Sequence, residues 1–497
     1  MAAEPRATLS GVSPGDRATT GTRPALTADL AARLQDVVGA DALITDPGAL
    51  LVYEADALMA YRERPRAVVL PRTTAEVAGL LRVLETARVP WVARGAGTGL
   101  SGGALPLSAA VLVSTARMDR ILAVDAVNRV ARVQPGVVNV HLSAAAAPFG
   151  LHYAPDPSSQ TVCTIGGNVA ENAGGPHCLK YGVTLNHIAG LTVVLPDGDV
   201  VELRDGGRDG TGYDLLGLFT GSEGTLGIAT EIEVRLTPVP DAVETLLALF
   251  PEVDQATRAV SAIIAEGLLP AALEMVDRQA ILAVEASAYA AGLPTDIGGA
   301  LVIELDGPAA GLAEEAERVR VICMREGARE VQRARDEAER QRLWYARKKA
   351  FGAMGRLAPD VLVQDAVVPR SQLPRALGRC YEIAAEYGLR ICNTFHAGDG
   401  NLHPTILFDR RDPDQVTRVE KASKAMMRAC VDCGGTITGE HGVGWDKRNY
   451  MDLVFGPEEL ALFCDIRRVF DPYGLANPLK ILPAHACREW AGAATAR

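Results

Sequence analysis

Three of the 8 histidines in this chain fall in two short segments, His396-Ala397-Gly398-Asp399-Gly400-Asn401-Leu402-His403-Pro404 and Gly439-Glu440-His441-Gly442. A neutral imidazole can ligate a metal or take a proton near neutral pH, and a carboxylate completes either kind of site. His396, His403 and Glu440 together form a 2-His-1-carboxylate set suited to zinc, manganese or iron. The two histidines converge only if the Gly-Asp-Gly-Asn turn between them folds back, which its glycines permit. His441 follows Glu440 directly, and in extended backbone their side chains would diverge, separating a metal ligand from a base. Asn401 either bonds a substrate or simply makes the turn. The plainer alternative is that the histidines cap strands and bond locally. The chemistry on offer is metal-assisted proton transfer, and its substrate must come from the rest of the chain.

The elements that position these residues change character along the sequence. From Arg66 to about Pro238, short β-branched runs alternate with glycine turns. Ala67–Leu70 reads as a strand, and Thr73 with Glu76 forms a capping box for a helix reaching about Ala87. Val89–Ala93, Val111–Ser114, Val130–Val133 and Leu191–Leu195 read as further strands, and Asp197-Gly198 as a hairpin turn. Ile228–Leu236 alternates apolar and polar, the period of a half-buried strand. After Pro238-Val239-Pro240, strands near 246–250, 300–305, 361–368, 389–395 and 405–408 alternate with helices near 255–265, 313–326 and 336–354. That alternation predicts an α+β domain with helices on one face of a sheet.

At 497 residues the chain exceeds one ordinary core, so two or three domains are expected. The composition, 48% hydrophobic and 22% charged, is that of a soluble globular protein. A net charge of −11 argues against nucleic acid and against direct binding to an anionic membrane surface. No apolar run approaches a membrane span, and no secretory signal is visible in the first 25 residues. Residues 1–25 read as a disordered tail. The 9 cysteines are an odd, scattered set, as expected of reduced thiols in a cytosolic protein. Cys430-Val431-Asp432-Cys433 has no second pair nearby, so a structural role is expected.

Arg94-Gly95-Ala96-Gly97-Thr98-Gly99-Leu100-Ser101-Gly102-Gly103 holds five glycines directly after a predicted strand. Such a loop lets backbone approach a ligand, and its N–H groups can form an anion-binding nest. A Rossmann fingerprint would require a helix to open from the loop. Here Pro106 and the β-rich Val111-Leu112-Val113 follow instead. Further loops come at Tyr153-Ala154-Pro155-Asp156-Pro157-Ser158-Ser159, at Ile165 to Gly175 and at Gly221 to Gly227. Four such loops in one strand-rich domain suggest a long, phosphate-bearing cofactor lying against backbone.

The motifs RGAGTGLSGGALPL, YAPDPSSQ, IGGNVAENAGG with HCLKYG, LFTGSEGTLG, FHAGDGNLHP and GEHGVG resemble, as a set covering about Tyr53 to Leu482, the FAD-linked oxidases named after vanillyl-alcohol oxidase and p-cresol methylhydroxylase. Within that family the likeness is to the flavoprotein (D) subunits of bacterial glycolate oxidases. The resemblance implies an α+β fold with a two-lobed PCMH-type FAD-binding domain over 26–240 and a ferredoxin-like cap over 241–430. A C-terminal segment, 431–485, would return to the FAD domain carrying Glu440 and His441. By similarity, Arg94, Gly95, Ala96, Gly97, Thr98, Gly99, Leu100, Ser101 and Gly102 would cradle the pyrophosphate. Pro155, Asp156, Ser158, Ser159, Gly166, Gly167, Asn168, Asn172 and Gly175 would line the flavin. Glu223, Gly224, Ile228 and Asn477 would hold the rest. The glycine loop carries no histidine for covalent attachment, so non-covalent FAD is expected.

The same resemblance gives His396, His403 and Glu440 the role of ligands to a divalent metal, zinc or manganese, and His441 the role of base. Arg347 would hold the substrate carboxylate, a solvated basic helix face being the alternative. The implied reaction oxidises a small D-2-hydroxy acid, glycolate first, with D-lactate or D-2-hydroxyglutarate as alternatives. Relatives acting on the larger diacid carry a lysine where this chain has Val363. A non-catalytic flavin-binding subunit is the alternative of another class, but it would have no use for the histidines. A second flavin-type subunit and an iron–sulfur subunit are implied partners, with a cytoplasmic location, peripheral on the inner membrane through them.

Overall fold

The computed structural model describes residues 26–58, 60–107, 109–204 and 212–487. The expected N-terminal tail lies outside them. The chain divides into two compact units: one comprises Gly175–Gly182 and Pro240–Gly439, the other 26–174, Val183–Val239 and the segment from Glu440 onward. The expected boundary near 240 thus has a counterpart, whereas the C-terminal crossing falls at Gly439/Glu440 and a short piece around Gly175–Gly182 is grouped with the later unit. Among the described residues, no helix is long and apolar enough to cross a membrane.

The glycine-loop unit contains two main sheets and a two-stranded ribbon of Leu151–His152 with Thr237–Pro238. In the first, Ala67–Val69, Val111–Ser114 and Trp91–Arg94 lie side by side in parallel, with Leu43–Ile44 antiparallel at one edge. The helix Thr74–Thr86 covers this sheet through Val77, Leu80, Leu81 and Leu84, which share a core with Val69, Trp91 and Val113. Its N-cap is Thr73, whose hydroxyl accepts from Glu76 N, while the Glu76 carboxylate accepts from Arg72 N rather than from the cap itself. The second sheet is antiparallel, in the order Ile121–Asp125, Val130–Val133, Ile228–Arg235, Ile188–Val194, Val200–Arg204. Along Ile228–Arg235, Ile232 and Val234 are buried in a second core, while Ile228 joins the first. The C-terminal segment rejoins this unit, as Asn477 N donates to Trp91 O at 2.8 Å.

The histidine unit is built on β1 (Ala242–Phe250), β2 (Ala272–Asp277), β3 (Gly299–Gly307) and β4 (Glu330–Arg333), continued by β5 (Asp360–Val363), β6 (Ala366–Val367), β7 (Arg390–His396), β8 (Asn401–Leu402) and β9 (Pro404–Phe408). The main path runs β4-β1-β3-β2-β7-β8-β6, with β9 bridging β7 and β5. Its helices include α1 (Val253–Ala265), α2 (Arg278–Glu285), α3 (Ala309–Arg325), α4 (Glu337–Ala353), α5 (Leu373–Glu386) and α6 (Pro413–Asp432). The strand expected over 361–368 is broken in two, because Gln364 and Asp365 leave the ladder with wholly buried polar side chains. Asp412 N-caps α6 with Pro413 at its first position, a start signal present in the sequence.

Two of the nine cysteines depart from the expectation of reduced thiols: Cys464 and Cys487 form a disulfide joining the helix Pro457–Phe470 to the C-terminal segment. Their Cα atoms lie 5.6 Å apart, within bonding reach. Cys430 and Cys433 sit at the end of α6, and Cys430 meets Cys380 of α5. The bond to Cys430 and then burial push the Cys380 thiol well up, which keeps it protonated and inert.

Candidate active site

Register explains how the histidine unit assembles its polar residues. In antiparallel pairs, residues directly opposite share a face with Cβ atoms about 5 Å apart. β7 pairs with β2 so that His396 stands opposite Glu274, and with β8 so that His396 also stands opposite Asn401. The turn between β7 and β8 needs Gly400 at φ +82, where an L side chain would be strained. That turn folds back and brings the His396 and His403 rings to 5.3 Å between centroids, crossed at 87°. Both histidines are buried.

Each imidazole is oriented from behind. Nδ1 of His396 lies 2.8 and 3.0 Å from the two oxygens of Glu274, and Nδ1 of His403 lies 3.2 Å from Gln364 O and 3.9 Å from Asp365. Protonated Nδ1 atoms held on acceptors make Nε2 the lone-pair nitrogen of each ring, the arrangement of metal-ligating histidines. Asn401 is buried with Oδ1 lacking a hydrogen-bond partner, an atom suited to a bound ligand. Asp365, wholly buried, accepts from Thr438 Oγ1 at 2.7 Å and from Gly439 N at 3.0 Å. The chain is therefore anchored beside His403 at the residue that precedes Glu440.

Arg347 is 6% exposed on α4, so the alternative of a solvated basic helix face does not hold; its guanidinium lies 2.5 Å from Glu274, while its Nε is buried without a partner. A further polar cluster of this unit centres on Glu304, which pairs with Arg340 and His177 and accepts from Thr245 and Trp344. Those bonds outweigh burial and hold the Glu304 carboxyl down at about 2.

Glu440 and His441 belong to the glycine-loop unit. Their backbone bends rather than extends, and His441 Nε2 lies 3.5 Å from Glu440 Oε1. The expected divergence of the two side chains is thereby corrected: a bent segment brings neighbouring residues together. The next residues are locked, since Glu223 accepts from Val443 N at 2.7 Å. Burial pushes the Glu223 carboxyl up, and burial followed by the nearby Glu223 charge pushes Glu171 up further.

The expected cofactor residues gather in the same unit, Gly175 excepted, which belongs to the short segment grouped with the histidine unit. Arg94 ends its strand and donates to Ala55 O at 2.7 Å, and Ser101 is wholly buried. Asn477 donates to Gly103 O and Glu223 O, tying the C-terminal segment to two of the loops. Three of the expected residues, Asn172, Glu223 and Asn477, hold left-handed φ values of 51, 51 and 38. Such strain persists only where surroundings enforce it, and it concentrates at ligand sites. Thr220 Oγ1, Ser222 Oγ and Glu223 Oε2 are buried without partners, so this loop has unspent hydrogen-bonding capacity of the kind a flavin cofactor would use.

Two sheets bearing four glycine loops, followed by an α+β unit with paired histidines, define an FAD-linked oxidase. A profile of the FAD binding domain matches residues 65–204, and one of the FAD linked oxidases, C-terminal domain, matches 239–481. The chain is 48% identical to the glycolate oxidase subunit GlcD of Escherichia coli (strain K12) over 465 residues, 93% of each chain. It is 33% identical to a D-lactate dehydrogenase of Anaerostipes hadrus, covering 84% of this chain and 90% of that one. Among solved structures, p-cresol methylhydroxylase with substrate bound shares the fold at a TM-score of 0.77 and 17% identity, over 92% of this chain and 97% of that chain. The chain belongs to the FAD-linked oxidases, in the family of the glycolate oxidase subunit GlcD. It is an FAD-dependent oxidoreductase.

Sequence reasoning missed Glu274 and Asp365 as parts of the site. Glu274 lies 122 residues from His396 within the wholly buried run Ala272–Asp277. The available signal was the charge itself, since a lone glutamate in an apolar strand needs a buried partner.

Proposed function

We propose that this protein oxidises glycolate to glyoxylate, with FAD as the hydride acceptor and a divalent cation, zinc or manganese, held by His396, His403 and Glu440. The observation that carries the reading is the convergence of His396, His403 and Asn401 in a chain whose glycolate oxidase relative is 48% identical nearly end to end. When bound, the cation would acidify the substrate hydroxyl and hold its carboxylate. FAD would accept the hydride from Cα. His441 takes the hydroxyl proton as general base, and Asn401 orients the substrate oxygens. The loops from Arg94, Pro155, Gly166 and Glu223 hold FAD non-covalently, with Asn477 tying the last segment to them. Arg347, paired with Glu274 but with Nε unpartnered, is the candidate to hold the substrate carboxylate.

The word "subunit" in the relative's name supports a further reading, that the protein works in a complex with a second flavin-type subunit and an iron–sulfur subunit. Location in the cytoplasm, peripheral on the inner membrane through those partners, goes with it. The experiment is anaerobic flavin reduction of the purified protein by glycolate, D-lactate and D-2-hydroxyglutarate. Glycolate is expected to bleach the flavin fastest. Reduction by the diacid alone would overturn the substrate assignment.

A further inference from the structure

We infer that Glu274 is a positioning residue for the metal site, fixing the direction of His396 through its Nδ1, with the Arg347 guanidinium braced against Glu274 from behind. The inference rests on the proposed reading of His396 as a metal ligand.

The geometry supplies three links. Glu274 is wholly buried, and both of its oxygens lie within 3.0 Å of His396 Nδ1. Strand register places the two residues directly opposite each other on β2 and β7, so the contact is fixed by the ladder rather than by a flexible loop. The Arg347 guanidinium approaches Glu274 Oε2 from α4 at 2.5 Å. On another side Arg347 borders a small apolar cavity lined by Leu247, Val276, Val302 and Leu343.

A carboxylate at Nδ1 retains the proton there, which leaves the Nε2 lone pair for a cation and makes it more basic. A neutral acceptor would fix the tautomer but donate less charge. The buried pair has little to recommend it as a stabilising device, because buried ion pairs are commonly no better than apolar groups of the same volume. Its placement behind one imidazole is what distinguishes it. Asp365 stands in a comparable place near His403, at the longer distance of 3.9 Å.

The test measures zinc binding by the full-length, FAD-bound protein after chelator treatment, by competition with a chromophoric chelator. Glu274→Gln keeps the side-chain shape and an acceptor oxygen but strands the buried Arg347 charge, and that variant can fail to fold. The double variant Glu274→Gln/Arg347→Gln removes both charges together and keeps the question open to measurement. His396→Ala runs in parallel. The double variant is expected to retain flavin and its unfolding midpoint while its zinc dissociation constant rises about 10–100-fold, and Glu274→Asp is expected to recover part of that loss. Unchanged zinc affinity in the double variant, with His396→Ala losing zinc, would overturn the role of Glu274 and leave the metal reading intact. Unchanged affinity in His396→Ala, or no zinc binding by the parent, would overturn the metal reading and this inference with it.

Discussion

At the scale of single residues, the division of labour depends on which groups are already spent. His396 and His403 each commit Nδ1 to a protein acceptor, and the proposed cation would take the Nε2 lone pair of each, so neither is suited to take a proton from substrate. His441 is partly exposed, and its Nε2 lies 3.5 Å from Glu440 Oε1. It is therefore the residue whose removal should separate chemistry from binding. His441→Ala is expected to keep its flavin and its metal while flavin reduction by glycolate slows about 10²–10⁴-fold, the usual contribution of a positioned base. Stopped-flow absorbance at the flavin band reads this directly, and a variant reduced at the parent rate would remove His441 from the mechanism.

At the scale of elements, the site depends on strand ends and on a backbone that passes very close to them. A Cβ on Gly439 would stand 2.6 Å from Val367 Cγ2 and 2.7 Å from the Asn401 amide carbon, both on paired strands with little room to give. Gly439→Ala should push the chain off Asp365 and carry Glu440 and His441 with it. The expected outcome is a modest loss of stability, about 1–3 kcal/mol as for other overpacked sites, with more than tenfold slower flavin reduction at normal flavin content. Much of this level was legible beforehand. The Thr73 cap, the long helix near 336–354 and the alternation through Ile228–Arg235 all follow from local chemistry. So did the return of the Gly-Asp-Gly-Asn turn, because glycine spacing is a local property. Glu274 and Asp365 were not legible as site residues, since their meaning depends on which strand pairs with which, and register between distant strands leaves no local trace. The bend at Glu440–His441 was misread for the opposite reason: an extended geometry was assumed where the chain is held by Asp365 on one side and Glu223 on the other.

At the scale of the whole chain, the glycine-loop unit depends on its last segment, which is held by a disulfide and by buried charge. Cys487→Ser opens the link to Cys464, which spans 23 residues; links closing loops of that size contribute about 2–4 kcal/mol. Thermal unfolding should report a lower midpoint, and FAD affinity should fall, because Asn477 and Lys480 lie between the two cysteines. Lys480 donates to Leu105 O, and Asn477 joins two cofactor loops. Burial drives the Lys480 amine down to about 7 and the Asp56 carboxyl, which faces Arg94, Lys480 and Leu58 N, up to about 7. The two groups act oppositely on stability. With its folded value raised, Asp56 binds more proton in the folded state between about pH 4 and pH 7, so its contribution is lost as pH rises through that window. Lys480, with its folded value depressed, binds more proton in the unfolded state between about pH 7 and pH 10, so its penalty is relieved as pH rises there. Asp56→Asn should therefore gain on the parent by roughly 1–3 kcal/mol between pH 5 and pH 7.5. Urea unfolding of the FAD-bound protein at the two pH values measures the difference. If the variant fails to gain, Asp56 is ionised at neutral pH and forms, with Arg94 and Lys480, a fully charged buried cluster supporting the glycine loop.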